Sequence, residues 1–474
     1  MKNSWVILLV NILFITSCEE LSFSNDKSSS NEQIETETTP EPNQEESSNV
    51  DFNDTTPIEC NGQYPINISA VTDGIDATTN STLSYIIDGN KTNERSWISN
   101  SSSSELIFEL DKKALLKHVV ISWKSTNVSQ YFDIDTSFDK ETWTNLKSGE
   151  QSKKDYVIPE LISFTGQEQT AHFIRLTLNG NNLDNENDIV EFEAYGCHQD
   201  TSHDIELIDW YLSVQTDTDG NGRSDSIKED DLSNGYQDPR FFYISEDNGL
   251  VFTSSVQGYR TSENTKYVRS ELREMLRRGN SNYKTQGVTK NNWVFSSAPQ
   301  QDQVDAGGVD GTLDAELAVN QVTATGEDYQ IGRVIIGQIH ANDDEPVRLY
   351  YRKLPNNSKG SIYIAHELLD GDDTYYELIG SRDNDASNPS NGIALDEKFS
   401  YQIQVEGNEL KVSVTKQDGE TFVQTVDMTN SGYDQGGQYM YFKAGVYNQN
   451  NSGDLHDQVQ ATFYKIDNQH EEYQ

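Results

Sequence analysis

The stretch Tyr441-Phe442-Lys443-Ala444-Gly445-Val446-Tyr447-Asn448-Gln449 alternates between two kinds of side chain. In a β-strand, successive side chains point to opposite faces. One face then carries Tyr441, Lys443, Tyr447 and Gln449, with Gly445 as a gap, and the other carries Phe442, Ala444, Val446 and Asn448. The second face is mostly apolar and suits a core, as in a half-buried antiparallel strand. The first face is unusual, because tyrosine, lysine and glutamine together offer proton transfer and anion binding. Gly445 leaves room for a close approach to the sheet.

Two other stretches repeat the pattern. Read as a strand, Tyr267–Met275 places Arg269, Glu271 and Arg273 on one face, and Val334–His340 places Gln338 and His340 together, with Ile339 opposite. Side by side, the three strands would line one groove with Arg, Gln, His, Lys and Tyr. Residues 271–278 can also be written as a short helix, but the two-residue alternation favours a strand through Met275.

Alternating segments continue across residues 200–474, including Leu313–Val319, Leu410–Thr415 and Val459–Tyr464; Tyr401–Val405 runs into a Gly407-Asn408 turn, a hairpin signal. A strand-rich domain of this size predicts a two-sheet β-jelly roll whose concave sheet forms a cleft for a polymer. Asp217-Thr-Asp219-Gly-Asn221-Gly-Arg-Ser-Asp225 has calcium-loop spacing but lacks the final bidentate glutamate and flanking helices of an EF-hand, and reads as a solvated surface loop.

Three segments in order, Arg269-Ser-Glu-Leu-Arg273, Gln338-Ile-His340 and Tyr441-Phe-Lys-Ala-Gly-Val-Tyr-Asn-Gln449, resemble the alginate lyases of polysaccharide lyase family 7. Singly they carry little: Arg-x-Glu-x-Arg is commonly a salt-bridged strand face, a lone histidine is commonly structural, and Tyr441 and Tyr447 could pack a core. The resemblance implies β-elimination on a chain of uronic acids, in which the C5 proton is removed and the C4 glycosidic oxygen expelled. Loss of that proton next to a charged carboxylate requires preorganised donors that neutralise the carboxylate. The resemblance assigns that task to Arg269, Gln338 and His340, with Tyr447 as acid. Tyr447 also serves as base where proton and leaving oxygen share a side, as in mannuronate. His340 is the base where they lie opposite, as in guluronate. Arg273 and Lys443 would bind neighbouring carboxylates, Glu271 would orient the arginines, and Tyr441 and Gln449 would contact substrate. The isoleucine of Gln338-Ile-His340 resembles members that accept guluronate. No cofactor is implied for the elimination.

Residues 58–198 hold short alternating strands, among them 105–110, 118–123, 131–135 and 172–178, which predict a β-sandwich. Ile87-Asp88-Gly89-Asn90, Trp97, Trp123, Tyr131, Ser137, Trp143, Ile174-Arg175-Leu176 and Glu191-Phe-Glu-Ala-Tyr-Gly196 resemble the discoidin (factor 5/8 type C) family, which includes many carbohydrate-binding modules; Asp139-Lys140 replaces its usual Asp-Gly turn. The resemblance implies a structural calcium, with Asp88 and Glu193 as oxygen ligands. Cys60 and Cys197 bracket this domain. A bond between them would close a loop of roughly 140 residues, worth about 5 kcal/mol on the chain-entropy model.

Residues 1–18 read as an export signal, with Lys2, an apolar run to Ile15, then Thr16-Ser17-Cys18. The end resembles a bacterial lipobox, with Ile15 in place of its usual leucine, which makes Cys18 the lipidated N-terminus; Glu19-Glu20 resembles a tag for the outer face of the outer membrane. Residues 19–57 are polar with Pro40, Pro42 and Pro57 and read as a disordered tether. The whole chain of 474 residues is long enough for two or three domains. Its composition (34% hydrophobic, Tyr 24 over Phe 17) favours exported β-rich domains. A net charge of −43 argues against nucleic acid and anionic lipid surfaces as partners. The reading is an all-β surface lipoprotein that holds alginate or a related polysaccharide with its first domain and cleaves alginate with its second. A non-catalytic glycan-binding lipoprotein and a lyase for another polyuronate remain the alternatives.

Overall fold

The alternation seen in the sequence is resolved into sheets in a computed structural model, which describes residues 56–73, 82–125, 127–153 and 158–471. The export signal, Cys18 and nearly all of the 19–57 segment lie outside the described residues.

The N-terminal half is a β-sandwich whose largest sheet has eight strands. The segments 105–110 and 118–123, expected as separate strands, are two ends of one strand, Ser104–Ser122. A register shift between Glu109 and Ala114 lets this strand pass the polar Asp111-Lys-Lys interruption without ending. Leu106, Phe108, Val119, Ile121, Phe132, Ile174, Leu176 and Phe192 fill the core. A disulfide joins Cys60 to Cys197, as the bracketing positions suggested.

Asp88 and Glu193 are each engaged by a cationic side chain. Asp88 accepts from Arg95 Nε at 2.8 Å and from its own turn through Asn90 N–H at 2.8 Å. Glu193 pairs with the Lys91 ammonium at 2.8 Å. Among the described residues no group of three or more His, Cys, Asp or Glu side chains is placed to hold a metal ion. A cation between these two carboxylates would have to displace an ammonium and a guanidinium.

The C-terminal half is the jelly roll. One sheet of nine strands and one of eight face each other across a core that includes Leu272, Ile336, Ile339, Leu349, Phe442, Ala444, Val446, Leu313, Phe463 and Ile403. In the first sheet the lateral order runs Asp225–Ile227, Trp210–Val214, Arg269–Glu274, Tyr441–Asn448, Arg333–His340, Val347–Arg352, Lys359–Glu367, Asp373–Ile379. The three stretches singled out from sequence are therefore immediate neighbours. The hairpin at Gly407-Asn408 forms as read, with Glu406 opposite Glu409 and Gly407 at φ +59°. The Asp217–Asp225 loop turns its carboxylates onto its own backbone: Asp217 accepts from Asn221 and Gly222, and Asp225 from Thr218.

The described residues fall in one compact unit, and the two halves share packing. Tyr243 and Val251 of the jelly roll are part of the core of the N-terminal sandwich. Tyr243 meets Tyr195 edge-on at 5.8 Å. His456 reaches the Trp123 carbonyl at 3.3 Å, and buried Lys91 donates to Gln458 at 3.3 Å.

Candidate active site

The core-facing side of the central strands is apolar, so their other side is the groove. Register places Arg269 opposite Tyr447, Arg273 opposite Lys443, Gln338 opposite Lys443 and His340 opposite Tyr441. The groove residues expected within these three strands thus share one face; Gln449 lies just past the end of its strand.

One feature of this face was not visible in the alternation. Strict period two would put Ile335 and Gln338 on opposite faces. Yet Ile335 packs with Tyr350, Tyr363 and Tyr447 on the groove side, while Ile336 and Ile339 are in the core. The register shifts between Ile335 and Gly337 against both neighbouring strands. Such a bulge inverts the side-chain parity beyond it. Gly337 permits it: a Cβ there would come 2.7 Å from the Tyr401 hydroxyl, which donates to the Ile336 carbonyl at 2.9 Å. The room at Gly445 has a different cause from the one expected. Its backbone is at φ +129°, and a Cβ would meet the Ser270 carbonyl at 2.7 Å and the Phe252 ring at 3.0 Å, so the gap serves backbone and core packing.

Glu271 is the electrical centre of the groove. It is 1% exposed and accepts from Arg269 at 2.8 Å, and also from Lys443 and Gln338. Burial alone would raise its carboxyl, but Lys443 and Arg269 hold it below the usual range. Burial, with Arg269 beside it, lowers the Lys443 ammonium to about 8. Arg269 lies over the Tyr447 ring at 3.6 Å. Burial pushes the Tyr447 phenol up, so it is protonated at neutral pH and suited to donate. Burial pulls the His340 imidazole down, so it is neutral and can accept a proton. His340 stacks on Tyr441 at 5.0 Å, bonds the Ala341 carbonyl through Nδ1 at 2.7 Å, and faces Glu345 through Nε2 at 3.3 Å.

The two cations expected to grip neighbouring carboxylates are turned inward. Lys443 is committed to Glu271. Arg273 is 3% exposed, lies against the Tyr441 ring at 3.9 Å, and donates to the carbonyls of Glu274 and Thr285 and to Asn292. It anchors the 285–292 loop beneath the groove. Glu271 therefore orients Arg269 but has no bond to Arg273. On the groove residues expected from the sequence, three buried polar atoms lack a partner among the described residues: Arg269 Nε, Gln338 Oε1 and Gln449 Nε2. Buried polar atoms are ordinarily bonded, so unsatisfied ones on expected groove residues are the signature of a site completed by a polar ligand. Glu345 was missed in the sequence because it sits in the turn after His340, where alternation has no reading.

A buried neutral imidazole, a protonated phenol and a clamped guanidinium, lined along one sheet of a jelly roll, are the equipment of a polysaccharide lyase. The chain belongs to the alginate lyase family, whose model matches residues 205–470. A second model, the F5/8 type C domain, matches residues 67–192. An alginate lyase of Klebsiella pneumoniae is 54% identical over 271 residues, 55% of this chain and 88% of that protein. The crystal structure of the alginate lyase from Klebsiella pneumoniae superposes with a TM-score of 0.56 at 53% identity, covering 56% of this chain and 96% of that one.

Proposed function

We propose that this chain cleaves alginate by β-elimination in the groove of its jelly roll. The observation that carries the reading is the set Arg269, Gln338, His340 and Tyr447 on three adjacent strands, with Glu271 tying Arg269, Gln338 and Lys443 together. Family membership supports the same substrate.

In this mechanism Arg269 and Gln338 receive the uronate carboxylate at the cleavage position, where donors fixed in a water-poor site stabilise the charge that develops as C5 loses its proton. For guluronate, neutral His340 takes the C5 proton. The electron pair of that C–H bond forms the C4=C5 double bond, the C4–O4 bond breaks, and Tyr447 gives its phenolic proton to O4. For mannuronate, Tyr447 stands on the side of both the proton and O4 and serves both. Its raised pKa makes the acid role the easier one, which supports a preference for guluronate.

The test is ultraviolet absorbance of the full chain with polyguluronate, polymannuronate and a non-alginate polyuronate in parallel. The conjugated product absorbs, so a rise reports elimination. Tyr447→Phe is expected to lower kcat by about 10²- to 10⁴-fold, the usual worth of a general acid, without loss of fold. A folded chain that binds these polymers and yields no absorbance on any of them would leave a glycan-binding protein instead.

Two further readings belong to the same proposal. The N-terminal sandwich holds polysaccharide near the groove, which deletion of residues 58–198 would reveal as lost retention on an alginate gel. Cys18 carries a lipid at the bacterial outer membrane, which Cys18→Ala would reveal by release into the soluble fraction.

A further inference from the structure

The groove does not end at Tyr447. Register carries one row of side chains across the sheet from Arg269 to Tyr447, Ile335, Tyr350 and Tyr363. Tyr350 and Tyr363 stack at 4.7 Å and 9°. Ile335, Tyr350, Tyr363, Ala365, Tyr375 and Tyr447 form a continuous apolar patch on this face. It is a largely buried floor: Ile335, Tyr350 and Tyr363 are covered, and a sugar ring can meet it at the half-buried rings of Tyr447 and Tyr375.

At its far end the floor meets a cavity of about 350 Å³ whose lining includes Tyr329, Arg333, Arg352, Tyr363, Tyr375 and Arg382. Arg333 and Arg352 are direct cross-strand partners. Like charges placed opposite each other in a sheet are destabilising. Neither of them, nor Arg382, is in an ion pair among the described residues, although the chain carries a net charge of −43. Arg352 is 4% exposed and donates only to neutral oxygens, the carbonyls of Asp328 and Arg382 and the Asn384 amide among them. Arg333 Nε is buried with no partner among the described residues. Arg382 stacks on Tyr375 at 3.9 Å. Asp383 also lines the cavity, yet no bond joins its carboxylate to any of the three guanidinium groups among the described residues. A charged group withdrawn from water without a counter-charge is unfavourable unless one arrives. Planar guanidinium forks suit a carboxylate.

We propose that Arg333, Arg352 and Arg382, with Tyr363 and Tyr375 of the cavity wall, form a distal subsite that binds the carboxylate of a uronate further along the same polymer. The proposal rests on the alginate reading above. The strands that line the pocket lie one to four spacings from that of Tyr447, roughly 5–20 Å, so only chains extending past the cleavage position reach it. The subsite therefore sets how long a substrate must be to bind well and where along the chain the cut falls.

The experiment measures kcat and KM for the full chain and for Arg333→Gln, Arg352→Gln and Arg382→Gln on a ladder of guluronate oligomers of increasing length. Arg382, at the surface on Tyr375, is the variant least able to disturb folding. Loss of one charge-assisted contact is expected to raise KM on long oligomers by roughly tenfold to a hundredfold. The penalty should grow with oligomer length, be carried by KM rather than kcat, and shift the product sizes. An equal penalty at every length, or none in Arg382→Gln and Arg333→Gln, would overturn the subsite. Failure of the unmodified chain to act on any uronate would instead overturn the activity on which the subsite rests, so the two failures are distinct.

Discussion

Glu271 accepts from Arg269, Lys443 and Gln338 at once while almost wholly removed from water. Breaking such a cluster on one side leaves cations uncompensated, which typically costs about 3–5 kcal/mol. Glu271→Ala is therefore expected to lose that much stability in urea unfolding, and activity with it, whereas Tyr447→Phe loses activity alone. The residue that titrates on the acid side is His340. Its neutral form is the base, and burial lowers its pKa from 6.5. On guluronate, kcat/KM should rise with pH as the imidazole loses its proton, along an acid limb centred below pH 6.5, and stay high until the Lys443 ammonium, lowered to about 8, and then the raised Tyr447 phenol lose theirs. A pH–rate profile on polyguluronate checks this, and an acid limb centred above pH 6.5 would remove His340 from the base role. The identity of every one of these residues was legible from alternation. Their partners were not: Arg273 and Lys443 read as binders of neighbouring carboxylates, and only packing shows the protein groups that hold them.

At the scale of the element, the strand Arg333–His340 is the most informative. Its bulge at Gly337 brings both Arg333 with Ile335 and Gln338 with His340 to the groove. Gly337→Ala would force a methyl group against the Tyr401 hydroxyl, 2.7 Å from the ideal Cβ. It is expected to cost about 1–3 kcal/mol, as overpacking does, and to lower kcat because Gln338 and His340 shift relative to Tyr447. Denaturant midpoints and turnover on polyguluronate measure the two effects. The sequence carried a weak signal here, a glycine inside an apolar run, but period-two reading has no means of locating a parity change. The same reading applied to Val347–Arg352 would have placed Arg348, Tyr350 and Arg352 on one face. Those residues escaped notice because no recognisable chemistry called attention to that strand.

Across the whole molecule, the two halves are coupled by side chains that belong to one and pack in the other, Tyr243 and Val251 in particular. The Cys60–Cys197 disulfide closes the N-terminal sandwich over a separation of 137 residues. Replacing both cysteines with serine is expected to lower stability by about 2–5 kcal/mol. Calorimetry of the full chain, with and without the replacement, checks that figure.

Sequence alone determined the all-β class, the cysteine pair and the polar face that three strands share, while the chemistry read onto that face came from the family resemblance. Each follows from local rules: side chains alternate in a strand, turn residues break it, and acid–base chemistry needs particular groups. Tertiary structure alone decided strand adjacency, the parity change at Gly337, the inward turn of Arg273 and Lys443, the cations that face Asp88 and Glu193, and the arginine pocket beyond Tyr447. These depend on which distant segments meet, and on burial, which decides whether a charge faces water or a partner.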